Sequence, residues 1–529
     1  YLTFLKTVHA IVYKGSEIEE STSSLSSLFD QIEKGNGSLA FSFANFFARI
    51  ALKNGSVTKL AKKMLERALS ISPSINSFSI LAFRLFVSIG DEKEATNRAK
   101  ILMHNETDDP FALLSMVICS LMGGNIRDAL SHLAFVKEAH AKISNTPLFH
   151  FLDGVCSRYS SNGSFDRFVL CLKQAVAEQF ALVQGVPMGI DGIVTLDVDF
   201  LVGIVYQLMD FAPVTPVKGN DPILKEVEKV LMSINEYCPG LTDVNYLLAR
   251  VKWLLGESEK AERIVDELIR GSDATAQVFL LKAQIKIDKG KIEEAENALD
   301  TGLSQSFAVR DSPLFHLIKV KVMKKRDDYD RAIDAARKAI GTNETKNEGS
   351  NLLMRREKDE GHRISLYLEL IESLQILGRT READSVMGEA LNRWKGTQHQ
   401  EQLIIMNAQL QVSKGDSDAA LAILNTVQSN QSNYQATRMK MAEIYLEEKK
   451  DKTMYTKMFK ELLNNDKSPT TFALLGDAYM SVQNPKQAIE VYEKALKSNP
   501  KDHALAEKIG EAYVQCHLYT KAVNYYEAA

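Results

Sequence analysis

The chain of 529 residues lacks the signatures that most enzymes carry. It has no G-x-x-x-x-G-K-[ST] loop, no G-x-G-x-x-G after a strand, no H-E-x-x-H and no G-x-S-x-G. Its ten histidines are scattered, none beside Cys or carboxylates at metal-ligand spacing. We therefore expect no enzyme, no cofactor and no metal, with His316, Trp253 and Trp394 serving as packing residues. Disulfide chemistry is poorly provided for: Cys119, Cys156, Cys171, Cys238 and Cys516 lie far apart, odd in number and without a C-x-x-C. They read as buried small residues in a reducing compartment. An excess of one charge is also missing, since 64 Lys+Arg face 68 Asp+Glu for a net charge of −4. No field of that size draws in nucleic acid or an anionic membrane. Long apolar runs are short of the roughly 20 residues a membrane helix needs; Phe111–Met122 stops at Gly123-Gly124. No transmembrane segment is expected. With no signal-peptide pattern, the N-x-[ST] sites at Asn36, Asn54, Asn105, Asn162, Asn343 and Asn430 read as chance loop sequence. The chain opens at Tyr1 without Met and closes at Ala529 within a helical pattern, so further sequence is expected at both ends.

What is present is a repeat. From Pro469 the informative positions are Phe472, Leu475, Gly476, Tyr479, Ala488, Tyr492, Ala495 and Pro500; one period on stand Ala506, Ile509, Gly510, Tyr513, Ala522, Tyr526 and Ala529. This is the tetratricopeptide skeleton, W-x₂-L-G-x₂-Y…A-x₃-F…P, with a period of about 34 residues. Gly476 and Ala488 lack bulk and let two helices approach, while Tyr479 and Tyr492 fill grooves. The register recurs in units starting at Ser42, Asn76 and Pro110, with Ala61, Ala95 and Ala129 in one slot, Gly55, Gly90 and Gly124 at turns, and Pro73 closing a unit. A looser unit spans Phe149–Ala177, and others start at Thr242, Ala276, Pro313, Ile364, Glu401, Gln435, Pro469 and His503. No segment alternates with period two, so essentially no strand is expected.

The organisation expected is an N-terminal array over 1–180, an irregular helical insertion with a Pro-rich loop over 181–241, an array over 242–340, a polar loop over 341–361 and a regular array over 362–529. Within the insertion, Gln184–Asp191 and Phe211–Pro222 carry Gly and Pro unsuited to continuous helix, while Val198–Asp210 has apolar residues at helical spacing; we read a local interruption by extra helices and an inserted Pro-rich loop, with a bend or docking platform as the other possibility. The Ser-rich Ser21–Ser27 reads as a loop. The fold class is all-α, a solenoid of stacked helical hairpins.

Partner-binding candidates come from the fifth, ninth and thirteenth slots of each first helix, which line the inner face of such arrays. In the last three units these hold Met439, Glu443 and Glu447, then Ala473, Asp477 and Ser481, then Glu507, Glu511 and Gln515. An anion-binding groove would need donors there, so these carboxylates favour a basic segment, or a helix with a basic face, as the occupant. They equally suit a plainly solvated face.

Particular strings narrow the family. Val309-Arg310-Asp311, Pro313-Leu314, His316–Lys319, His362-Arg363, Leu368–Ile371, Lys440–Leu446, Lys450–Lys452, Leu474–Met480 and Asn499–Asp502, with Gly185–Ile190 and Asp199–Leu201 of the insertion, resemble the tetratricopeptide repeat protein 21 family. The resemblance is most specific over about residues 180 to 529. It implies a right-handed superhelix and a large all-repeat subunit of intraflagellar transport complex A. The partners implied are the other subunits of that complex, of WD40 and repeat type, with complex B or cargo adaptors beyond them. The location implied is the cytoplasm and the cilium or flagellum with its base. Two other readings stay open from the residues alone: a cytosolic cochaperone-like adaptor, and a regulatory repeat region attached to a catalytic domain.

Overall fold

The computed structural model describes the chain apart from residues 1, 32–36, 52–53, 73–74, 106–108, 161–164, 188, 214, 217–220, 272–273, 343–358, 396–399, 429–433, 499–502 and 529. Most of the polar 341–361 segment, Pro73, Pro500, Asn499–Asp502 and Ala529 thus lie outside the described residues. Every regular element is helical and no strand occurs among the described residues. The chain divides into two compact units, residues 1–325 with 341–362, and residues 326–340 with 363–529.

In the first unit, α1 (Leu2–His9) runs through a π turn at Ala10–Lys14 to α2 (Ile18–Gln31). Four hairpins follow: α3–α4 (Gly37–Ile50, Gly55–Ile71), α5–α6 (Asn76–Ile89, Glu92–Asn105), α7–α8 (Pro110–Met122, Ile126–Ala139) and α9–α10 (Pro147–Tyr159, Phe165–Val183). Then come α11 (Ile190–Leu196), α12 (Val198–Met209) and α13 (Pro222–Tyr237). The hairpins resume with α14–α15 (Thr242–Leu254, Ser258–Arg270) and α16–α17 (Ala276–Asp288, Ile292–Gln305), before α18 (Pro313–Lys325). The second unit holds α19 (Tyr329–Thr342) as far as Ile340 and α20 (Asp359–Ile376) from Arg363, then α21 (Thr380–Arg393) and the hairpin α22–α23 (Gln400–Ser413, Ser417–Leu424). It closes with α24–α25 (Tyr434–Glu447, Lys452–Asn465), α26–α27 (Pro469–Ser481, Pro485–Ser498) and α28–α29 (His503–Gln515, Tyr519–Ala528).

The first helices start where turn chemistry starts them. Asp109, Thr146 and Ser468 accept backbone N–H bonds at the heads of α7, α9 and α26, each with Pro as the first helical residue, which has no N–H to satisfy. At the other end, Gly90, Gly256, Gly290 and Gly415 take φ between +73° and +84°, the left-handed conformation that stops a helix without a Cβ penalty. Ala61, Ala95, Ala129, Ala261, Ala295 and Ala488 are fully buried, as their small-residue slot requires.

Two expectations are corrected. The first repeat helix opens at Gly37, ahead of Ser42. Ser21–Ser27 is not a loop but the middle of α2: Thr22 and Ser23 bond back to the carbonyls of Ile18 and Glu19, and Ile18, Thr22, Leu25 and Phe29 form one buried stripe. The insertion is helical in its middle, where apolar spacing places a helix over 198–210, and that middle is packed inside the unit. Helices α11 and α12 pack against α3, and α12 also against α10 and α13. Residues Val198, Leu201, Val202, Ile204, Val205 and Leu208 are buried, which makes this segment part of the unit's core. By length and hydropathy Ile190–Met209 could cross a membrane, yet 67% of it is buried inside the unit and Asp197, at φ +51°, breaks it in two.

Around that core the first unit curls onto itself. Gly240, in the turn before α14, donates its N–H to the Val12 carbonyl at 2.7 Å. A Cβ on Gly15 would stand 2.4 Å from the Gly240 oxygen, and one on Gly240 2.7 Å from the Tyr13 carbonyl carbon. Only paired glycines allow so close a backbone approach.

Candidate functional site

In the second unit the carboxylates expected on the inner face divide into committed and free groups. Asp477 on α26 accepts the Tyr492 hydroxyl at 2.5 Å from α27 and the Lys508 ammonium at 2.7 and 2.8 Å from α28. It therefore ties its own hairpin and then the next. The Tyr492 ring is almost fully buried against Gly476, where an added Cβ would come within 2.3 Å of the ring. Burial, and then the hydrogen bond to Asp477, push the Tyr492 phenol upward from its ordinary value. The same glycine–tyrosine pairing returns at Gly510 and Tyr526, at 2.9 Å. Tyr513 and Tyr525 stack and share Glu493, and burial together with that carboxylate takes the Tyr513 phenol to about 12.

Glu443 is exposed and pairs along its own helix with Lys440 at 2.7 Å. Glu447, Glu507 and Glu511 are exposed and have no ion-pair partner among the described residues. The face expected from spacing thus offers three free carboxylates, one lightly paired and one consumed structurally. Such exposed charges suit reversible contact with a basic partner through long-range attraction, which sets approach and register more than tightness.

The first unit has a polar cluster that spacing arguments missed. Asp197 accepts Arg49 of α3 and Arg84 of α5, the latter at 2.5 Å. Its carboxylate is 6% exposed. Burial acts first to lower the Arg49 guanidinium and Arg84 adds to this, while Asp197 opposes both. Next to it, burial and the Asp197 charge raise the Asp199 carboxyl to about 7. Farther along α12, Arg158 of α9 bonds Gln207 at 2.8 Å and Asp210 at 2.9 Å. The available signal was the pair of carboxylates at Asp197 and Asp199 inside an otherwise apolar run; their partners are more than a hundred residues away.

The cysteines are all free, with Cys156, Cys171 and Cys238 buried. Burial raises the Cys156 and Cys238 thiols to about 12, which leaves little thiolate for chemistry. His316 is lowered by burial, and Trp253 and Trp394 lie in the core. Trp253 donates to Asp288 at 2.7 Å.

Stacked helical hairpins with extended, charged faces define the class: an all-α tetratricopeptide-repeat solenoid, a repeat scaffold. The sequence carries the family within that class. The model of the tetratricopeptide repeat protein 21 second ARM domain matches residues 21–290, the family's ARM repeat matches 307–462 and its fourth ARM domain 505–529, with a tetratricopeptide repeat at 469–502. The chain belongs to the tetratricopeptide repeat protein 21 family. The Caenorhabditis elegans tetratricopeptide repeat protein 21 homolog is 37% identical over 99% of this chain and 40% of its own length. Human tetratricopeptide repeat protein 21B is 32% identical over 98% of this chain and 40% of its own length. The chain therefore spans about 40% of these relatives. Among solved structures, yeast Tom70 matches at 13% identity and a TM-score of 0.39, over 90% of this chain and 96% of that one. The APC/C hetero-tetramer Cut9–Hcn1 matches at 15% identity and a TM-score of 0.35, over 88% and 95%.

Proposed function

We propose that this chain acts as a non-enzymatic scaffold within intraflagellar transport complex A, docking other subunits of that complex and supporting retrograde ciliary transport and cargo trafficking. The family match along the whole chain carries the reading. Its partners are the other complex A subunits, with complex B or cargo adaptors at further surfaces, and its place of work is the cytoplasm and the cilium or flagellum with its base. The physics of the array supports a docking role: hairpins held by nearest-neighbour contacts present long surfaces. The free carboxylates at Glu447, Glu507 and Glu511 give one such surface a sign.

Affinity purification of the endogenous full-length protein, with its co-purifying proteins identified by mass spectrometry, tests this. Complex A subunits in stoichiometric amounts are the expected result. Recovery of the protein without any intraflagellar transport subunit contradicts the proposal.

A further inference from the structure

The first unit has a half-open pocket of about 140 Å³ between α12 and the first helices of four successive hairpins. Its walls include Leu81, Phe83, Phe111, Phe151 and Phe200, and its polar edge is Arg49, Arg84, Asp197 and Asp199. That volume is close to the roughly 150 Å³ of an engineered apolar cavity that admits benzene. It thus suits one aromatic ring or branched alkyl group.

Two independent features point to an occupant. Gly203 lines the cavity from the middle of α12, and a Cβ there would meet nothing within 4 Å. Glycine weakens a helix interior, and here no crowding of the backbone calls for it; what its missing side chain preserves is the open space. Second, Arg49 Nε is buried without an acceptor, while the Nη1 of the same side chain and Nη2 of Arg84 both bond the single oxygen Oδ2 of Asp197. A buried donor left unmatched is costly and marks a place for an acceptor.

We propose that this cavity binds a small monoanion with one aromatic or branched apolar group, its acceptor head meeting Arg49 and Arg84 and its body lying against Gly203 and the phenylalanines. The charge count agrees. With Asp199 neutral, two guanidinium groups face one carboxylate, and a single anion balances them. Asp199 has Arg49 on α3, Arg84 on α5 and Asp197 before it in the chain as charged neighbours, whereas α7 and α9 present apolar side chains to the cavity and Arg158 is engaged with Gln207 and Asp210. Burial sets the Asp199 carboxyl near 7, so raising the pH through neutrality adds a negative charge beside the head group and weakens anion binding.

Ligand-observed NMR and calorimetry with benzoate, benzene and benzylammonium on the whole chain test the proposal. Benzoate should bind saturably, more tightly than benzene and much more tightly than benzylammonium. Its affinity should fall from pH 6 to pH 8, and Asp199→Asn should remove that fall. Gly203→Leu occupies the pocket and should weaken benzoate and benzene alike by about tenfold or more; as a better helix former than glycine it keeps the fold. Arg84→Gln should weaken benzoate while leaving benzene unchanged. No benzoate binding, equal binding of benzoate and benzylammonium, unchanged binding in Gly203→Leu, or an affinity that does not vary with pH overturns the proposal.

Discussion

At the residue scale, the tightest packing involves a glycine whose role is visible from its repeat slot and a tyrosine whose partner is not. Gly476→Ala would drive a Cβ into the Tyr492 ring, so we expect a loss of about 1–3 kcal/mol, the usual cost of overpacking. Thermal unfolding checks this, and pairing it with Tyr492→Leu should recover part of the loss. Gly203→Ala should do the reverse, since its Cβ meets open space, and raise stability by about 0.5–1 kcal/mol. Asp477 shows the limit of slot reasoning. Its position on the inner face suggested a partner contact, but Lys508 stands nearly one period later and claims it. Pairing across units depends on side-chain reach, which a one-dimensional register does not contain. Asp477→Asn is therefore expected to lower the melting temperature, an effect that a pure docking residue would not show.

At the element scale, helix starts at Asn76, Pro110, Thr242, Ala276, Pro313, Pro469 and His503 coincide with the unit starts read from spacing, because caps, prolines and small residues act locally. The Ser-rich α2 was misread for the opposite reason. Serine's low helix preference is overridden by the burial of Ile18, Leu25 and Phe29. The helical middle of the insertion is legible from its apolar spacing, but its burial is not, because it finds its partners only after the array has curled around it. Asp197 ties that middle to α3 and α5, so Asp197→Ala should cost about 1.5–3 kcal/mol, the range for hydrogen bonds to charged groups, measured by denaturant unfolding. A second tie joins α15, α16 and α17: Lys286 meets Glu262 at 2.7 Å, and Lys289 and Glu294 complete the network. Hydrogen bonds from Lys286 and Lys289 hold the Glu262 carboxyl down to about 2, against an ordinary value of 4.5. A depressed carboxylate stabilises the fold fully above 4.5, and that stabilisation is lost as the pH falls toward 2. Acid unfolding of Glu262→Gln should accordingly be less steep across this window than that of the parent. On α24 and α28, reversing Glu447, Glu507 and Glu511 together should weaken capture of a basic partner without changing the melting temperature. Retention of every partner would remove that face from the docking surface.

At the scale of the whole molecule, the two units are held in different ways. The second follows the expectation for a repeat array, in which ties such as Asp477–Lys508 span neighbouring hairpins and stability builds up locally. The first adds contacts far apart in sequence: Arg49 with Asp197 fastens α3 to the head of α12, and Val12 with Gly240 closes the π turn onto the turn before α14. Such closure links repeats that would otherwise open independently. It was illegible in the sequence because helices distant along the chain must be placed around α12 before any of their contacts exist. Helix α12, with α11 leading into it, is the interior on which the first unit is built. Native-state hydrogen exchange followed by mass spectrometry tests it most directly. Slow, concerted exchange of α3, α5 and α12 is the expected result, with Asp197→Ala accelerating all three. Rapid exchange of α12 while α3 and α5 stay protected would contradict it.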